Sequence, residues 1–112
     1  YGAQPRIRAF QVVNEPNFLG MRPNQVLGVE TSPENYLEIL ALAANVIREE
    51  APGKLVVSGA TTAINQNFPE TLRYNRSLVN GGILNLVDVY AIHYYGKLYE
   101  NLVRPDGVDD FM

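Results

Sequence analysis

A strand that runs into an amide, a carboxylate and a proline can present an acid at the rim of a sheet. The segment Phe10-Gln11-Val12-Val13-Asn14-Glu15-Pro16-Asn17 has that form. Pro16 cannot donate to a ladder, so pairing stops there and Glu15 stands at the C-terminal end of the strand, where α/β folds place their chemistry. A glutamate at such a rim, walled by an apolar loop, suits general acid catalysis. The competing reading is a rim carboxylate paired with a neighbouring Arg or Lys. Asn14 and Asn17 flank it with amides that could hydrogen-bond a polyhydroxyl ligand. Asn at a strand end also serves turn chemistry without any ligand.

His93 is the sole histidine, which excludes a multi-histidine metal centre. It follows the apolar run Leu86 to Ile92, and Tyr95 lies two residues on, on the same side if the strand continues. Tyr94 faces the other way, toward packing. A histidine in this place can equally be a structural residue with its hydrogen bonds satisfied. Asp88, inside the apolar run, needs a hydrogen-bonding neighbour and reads as structural. Asp106, Asp109 and Asp110 lack the alternating ligands and terminal Glu of a calcium loop. Asn75-Arg76-Ser77 is a formal glycosylation triplet, but it falls inside a predicted helix. No glycine pattern forms a phosphate fingerprint, and no cofactor is expected.

The elements that must position these residues alternate. Arg6 to Val13 reads as a strand, followed by a long loop over Pro16 to Thr31 broken by Gly20, Pro23, Asn24 and Gly28. Phe18, Leu19 and Met21 make that loop apolar, and its place beside Glu15 suits the wall of a binding cleft. Ser32 with Pro33 opens a helix, with Thr31 and Glu34 as an alternative capping box, and Pro52-Gly53 ends it. Tyr36, Ile39, Leu40, Ala43, Val46 and Ile47 form its predicted buried face. Lys54 to Ser58 is a second strand, apolar enough for burial on both faces. A second helix runs from about Pro69 to Val79, closed by Gly81-Gly82, and Leu86 to Ile92 is a third strand. Such an order suits consecutive βα units of an α/β barrel, or part of an open doubly wound sheet.

Composition narrows the partners. With 9 basic and 12 acidic residues, net charge −3 and no basic stripe, nucleic acid is not expected. Cysteine is absent, so disulfides and thiolate metal sites are excluded. The longest apolar stretch, Ile39 to Val46, is interrupted by Asn45 and too short to span a bilayer, so no membrane partner is expected. No signal peptide is visible. At 112 residues, starting at Tyr1 beside a strand, the chain reads as a piece cut from something longer.

Taken together, these motifs resemble clan A glycoside hydrolases, retaining enzymes on an eight-stranded TIM barrel. Val12-Val13-Asn14-Glu15-Pro16-Asn17 is similar to the end of their fourth strand. Val87 to Gly96, with His93-Tyr94-Tyr95, resembles the sixth, although Tyr94 stands where a proline is common. Ser32-Pro33-Glu34-Asn35-Tyr36 and Val56-Val57-Ser58-Gly59-Ala60 fit the helix and strand between. Family 5 and family 39 types are both compatible. The resemblance implies that Glu15 is the general acid/base, that Asn14 contacts the sugar 2-hydroxyl, and that His93 lines the cleft. Tyr95 would hydrogen-bond the nucleophile or the sugar beside it. It implies a carbohydrate substrate, and a secreted or periplasmic setting.

Strict strand alternation would send Asn14 and Glu15 to opposite sides, so both roles require a twist or bulge at the strand end. The family's nucleophilic glutamate ends a seventh strand, and Glu100 has no strand before it. Three strands cannot close a barrel, so the expectation is an incomplete one, inactive by itself. Its open edges invite self-association. The alternatives are a non-catalytic carbohydrate-binding or self-associating α/β fragment, and an unrelated open-sheet domain in which Glu15 is structural.

Overall fold

A computed structural model of the chain describes residues 1–62 and 70–93. Its elements are β1 (Ala9–Val12), α1 (Asn24–Leu27), α2 (Pro33–Glu50), β2 (Leu55–Ser58) and α3 (Thr71–Asn80), then a 3-10 turn at Ile83–Asn85. The two strands pair in parallel, with Ala9 opposite Leu55 and Val12 opposite Ser58. No described helix is long and apolar enough to cross a membrane.

The third predicted strand is a shorter affair. Val57 bridges Val89 and Thr61 bridges Ile92, both in parallel, on the β2 edge away from β1. Side chains interrupt a continuous ladder there. The Asp88 carboxylate accepts the Val56 N–H at 2.8 Å, and Ser58 Oγ accepts the Ala91 N–H at 2.8 Å. These are backbone donors that a neighbouring strand's carbonyls would otherwise take. Asp88 therefore has the structural role its position suggests. The sequence of parallel segments is β1, β2, then Val89–Ile92.

Helix α2 begins where its cap predicts. Ser32 Oγ accepts the Asn35 N–H at 3.1 Å, and Pro33 sits where its missing N–H costs nothing. Its buried stripe is narrower than the apolar pattern implies. Tyr36, Leu40 and Ala44 are buried, whereas Ile39 and Val46 face outward with Leu42. The reason is that, among the described elements, α3 is the one helix that packs beside α2, so one flank of its apolar arc has a described helical neighbour. The core joins Tyr36, Leu40 and Ala44 to Val56, Leu78 and Ile83. Along the strands, Phe10, Val12, Val56 and Ser58 turn toward α2. Ala9, Gln11 and Leu55 lie on the opposite face, which no described helix covers.

Helix α3 (Thr71–Asn80) is closed by Gly81 as its C-cap; the expected start at Pro69 lies outside the described residues. Asn75 lies fully buried on its inner face, its Oδ1 taking the hydroxyls of Thr61 (3.0 Å) and Tyr90 (2.6 Å).

Candidate functional site at the end of the first strand

Beyond Val12 the backbone leaves strand geometry abruptly. Val13 has φ 64° and Glu15 has φ 46°. Left-handed conformation costs an L residue roughly 1–2 kcal/mol, and a β-branched valine there is an outlier. Residue counting shows why it arises. Val12 pairs with Ser58 and Asn17 bonds Thr62, so five steps along the first segment match four along the second. One extra residue must be absorbed between them, as in a bulge, and the left-handed pair absorbs it. The strand-end distortion that a shared role for Asn14 and Glu15 requires is thus present.

Tyr36 props this corner from below. Its hydroxyl donates to the Val12 carbonyl at 2.9 Å and accepts the Gly59 N–H at 2.5 Å. A Cβ on Gly59 would stand 2.6 Å from the Val13 oxygen and 2.8 Å from the Val12 oxygen, so only glycine allows the two chains this close. Burial pushes the Tyr36 phenol's pKa up, partly opposed by the Gly59 N–H.

Glu15 itself is fixed at both backbone groups. Its N–H donates to the Ala60 carbonyl at 2.8 Å, and its carbonyl accepts the Phe18 N–H at 3.0 Å. The second bond closes a turn with Pro16 at its second position, where the locked φ is pre-set. The carboxylate then reaches across to the third parallel segment, with Oε1 2.9 Å from His93 Nδ1. The Glu15 side chain is 14% exposed and that of His93 29%. With Glu15 ionised, the carboxylate can only accept, so Nδ1 carries the proton and Nε2 of a neutral ring is the acceptor. Such a pair can hold and pass a proton at a sheet rim.

Asn14 is half-buried, and its side-chain amide has no hydrogen-bond partner among the described residues. Asn17 is buried; it is the third residue of the Glu15–Phe18 turn, but its side chain is engaged inside the protein and not with solvent. Its Oδ1 accepts the Thr62 N–H (3.0 Å), while Nδ2 donates to Thr62 Oγ1 (2.9 Å) and Thr71 Oγ1 (3.0 Å). Tyr95 lies outside the described residues.

The loop 16–31 is tied by Asn24, whose amide donates to the Pro16 and Phe18 carbonyls and accepts from Thr31 Oγ1. Tyr74 adds a hydroxyl bond to the Thr31 carbonyl at 2.7 Å. Leu19, Val26, Leu27 and Val29 stand exposed on this loop. Sequence reasoning missed Tyr36, Asn24, Thr62 and Thr71 as supports. The one local signal was Tyr36 itself, a hydroxyl-tipped ring in an otherwise aliphatic stripe.

Two surface depressions of about 220 Å³ flank α3, one along Glu70, Leu72, Arg73 and Arg76, the other beside Tyr74; neither is lined by Glu15 or His93. No group of three His, Asp or Glu side chains suited to a metal occurs among the described residues. No protein-family model, curated protein or solved structure matches this chain.

Proposed function

We propose that the chain carries the acid/base half of a retaining glycoside hydrolase site. Glu15 is the proton donor and acceptor, Asn14 and His93 contact the sugar, and Tyr95 serves the nucleophile or the sugar beside it. The observation that carries this reading is the meeting of Glu15 and His93 across 78 residues of chain. Two side chains picked out separately as strand-end groups converge within hydrogen-bond distance. The parallel segments in sequential order, with one face covered by α2 and the other open, suit consecutive barrel units.

The chemistry needs a carboxyl that protonates the departing glycosidic oxygen and later takes a proton from water. A second carboxylate, about 5 Å away, must attack the anomeric carbon. Glu15, with its proton exchangeable through His93, fits the first role. No described residue is assigned the second, and the 112-residue chain alone is not expected to turn over glycosides.

An affinity label tests the half-site without turnover. A bromoacetyl glycosylamine brings an electrophilic carbon to the acid/base position, where a carboxylate oxygen displaces bromide and forms an ester. Peptide mapping is expected to find Glu15 esterified first, with free oligosaccharide slowing the reaction and Glu15→Gln abolishing it. Labelling spread evenly over exposed glutamates such as Glu49 and Glu50 would sink the reading.

A second reading, self-association, is favoured by the uncovered apolar surface. Leu55 (44% exposed) and Val89 (42%) lie on the open sheet face, and Ile39, Leu42 and Val46 line the outer flank of α2. Light scattering is expected to show mass rising with concentration, and Leu55→Lys to return the chain to monomer. A monomer at every concentration rules this out.

A further inference from the structure

We propose that Asn17 is the positioning residue of this site: it locks the one-residue bulge that turns Glu15 toward His93, and does not itself meet the ligand. The inference rests on the proposed function only for the use made of Glu15. How the carboxylate is aimed is a separate matter of geometry.

The two chains are clasped twice beyond the sheet, at Glu15 N–H to the Ala60 carbonyl and at Asn17 to Thr62. The clasps lie two residues apart on each chain, so between them the pairing is again in step. The extra residue is therefore confined to the interval from Val12 to Glu15, the interval holding both left-handed residues. Without the second clasp, the first segment could slide by one position and relax both. That slip would carry Glu15 away from the rim.

The Asn17 amide suits this work because its orientation is fixed by its partners. The Thr62 N–H needs an acceptor, which sets Oδ1, and the amide nitrogen then faces the two threonine hydroxyls, themselves 2.8 Å apart. The knot joins the segment after β1, the segment after β2 and the first residue of α3 in a site that solvent barely reaches. A side chain fully engaged with protein partners has little left to offer a sugar, which sets aside the ligand role read from the sequence.

His93 is the sole histidine, so one imidazole signal reports the pairing with Glu15. The experiment follows that signal by long-range nitrogen–proton NMR, with the ring neutral, in four chains: the parent, Asn17→Ala, Glu15→Ala and the double variant. Asn17→Ala is expected to keep its helical signal and to lower the ratio of paired to open His93 about fivefold or more, the factor that follows from losing about 1 kcal/mol. The Glu15→Ala chain and the double variant are expected to give the same His93 signal, since no acceptor remains at residue 15 to be aimed. An unchanged signal in Asn17→Ala overturns the proposal. So does an equal change in the Glu15→Ala background, which would mark a general structural effect. If Asn17→Ala does not fold, Thr71→Val removes one arm of the knot and is expected to move the signal the same way by less; no movement overturns the proposal. No sugar enters these measurements, so their failure is distinct from failure of the glycosidase reading, which the labelling decides.

Discussion

Replacing Tyr36 with phenylalanine is expected to destabilise the chain by about 2–4 kcal/mol, although the ring still fills its place. The hydroxyl is the joint between two segments, donating to the Val12 carbonyl and accepting the Gly59 N–H. Phenylalanine leaves a buried donor and a part-buried acceptor facing a hydrocarbon edge, each at about 1–3 kcal/mol at full burial. Gly59 is itself buried, and the near contact between the chains there leaves little room for a water to replace the oxygen. A domain of this size has a total stability of about 5–15 kcal/mol, so the loss is a large share of it. Denaturant unfolding should show a lower midpoint at constant slope. A change under about 0.5 kcal/mol, the range of ordinary surface substitutions, would mean that the hydroxyl is not the joint described.

Alkali is the second strong perturbation. Burial is the leading cause that raises the phenols of Tyr36, Tyr74 and Tyr90, and Tyr74 is raised further by Tyr36, Glu30 and Glu34. Tyr90 is pushed up to about 12 from 10. In the unfolded chain these phenols ionise near their ordinary value, while in the folded chain they stay neutral. Unfolding therefore releases protons in this range. The stability is whole below pH 10 and is lost as pH rises through the folded values. Tyr90 alone, discounted for its partial exposure, contributes on the order of 1–2 kcal/mol of that loss. Tyrosinate absorbance from these three residues is expected to appear together with loss of helical signal. Tyr90→Phe should move the midpoint to higher pH if its own hydrogen bond to Asn75 matters less than its ionisation. Helical signal unchanged between pH 10 and 12 refutes the account.

What could be read from the sequence is what depends on neighbours along the chain. The Ser32-Pro33 start of α2 is such a feature, since capping is decided within one turn. The end of β1 before Pro16 is another. The inner face of α2 was legible only in part: Ile39 and Val46 have the right chemistry for burial, but which flank finds a neighbour is a property of the assembled fold. The broken third strand turned on Asp88 and Ser58 taking up backbone donors, which no propensity encodes.

The site divides in the same way. Glu15 and His93 were visible because each sits at a strand end, a local property. The bulge could be required by argument but not located, because it follows from counting residues between contacts on two segments. Asn17 illustrates the limit most plainly. Its partners lie 45 and 54 residues away, and nothing around it distinguishes an amide that turns a loop from one that clasps two strands.

The burial of Asn75 bears on how this chain can be produced. Asn75-Arg76-Ser77 is an acceptor triplet that a eukaryotic secretory host reads on the extended chain, before α3 forms. Once folded, the same amide is sealed against solvent, with its oxygen committed to Thr61 and Tyr90 and its nitrogen unpaired. A glycan attached there has nowhere to go, so each modified molecule is barred from packing α3 against its neighbours. Hosts that lack this modification avoid the conflict, and Ser77→Ala removes the triplet while leaving Asn75 and its bonds in place.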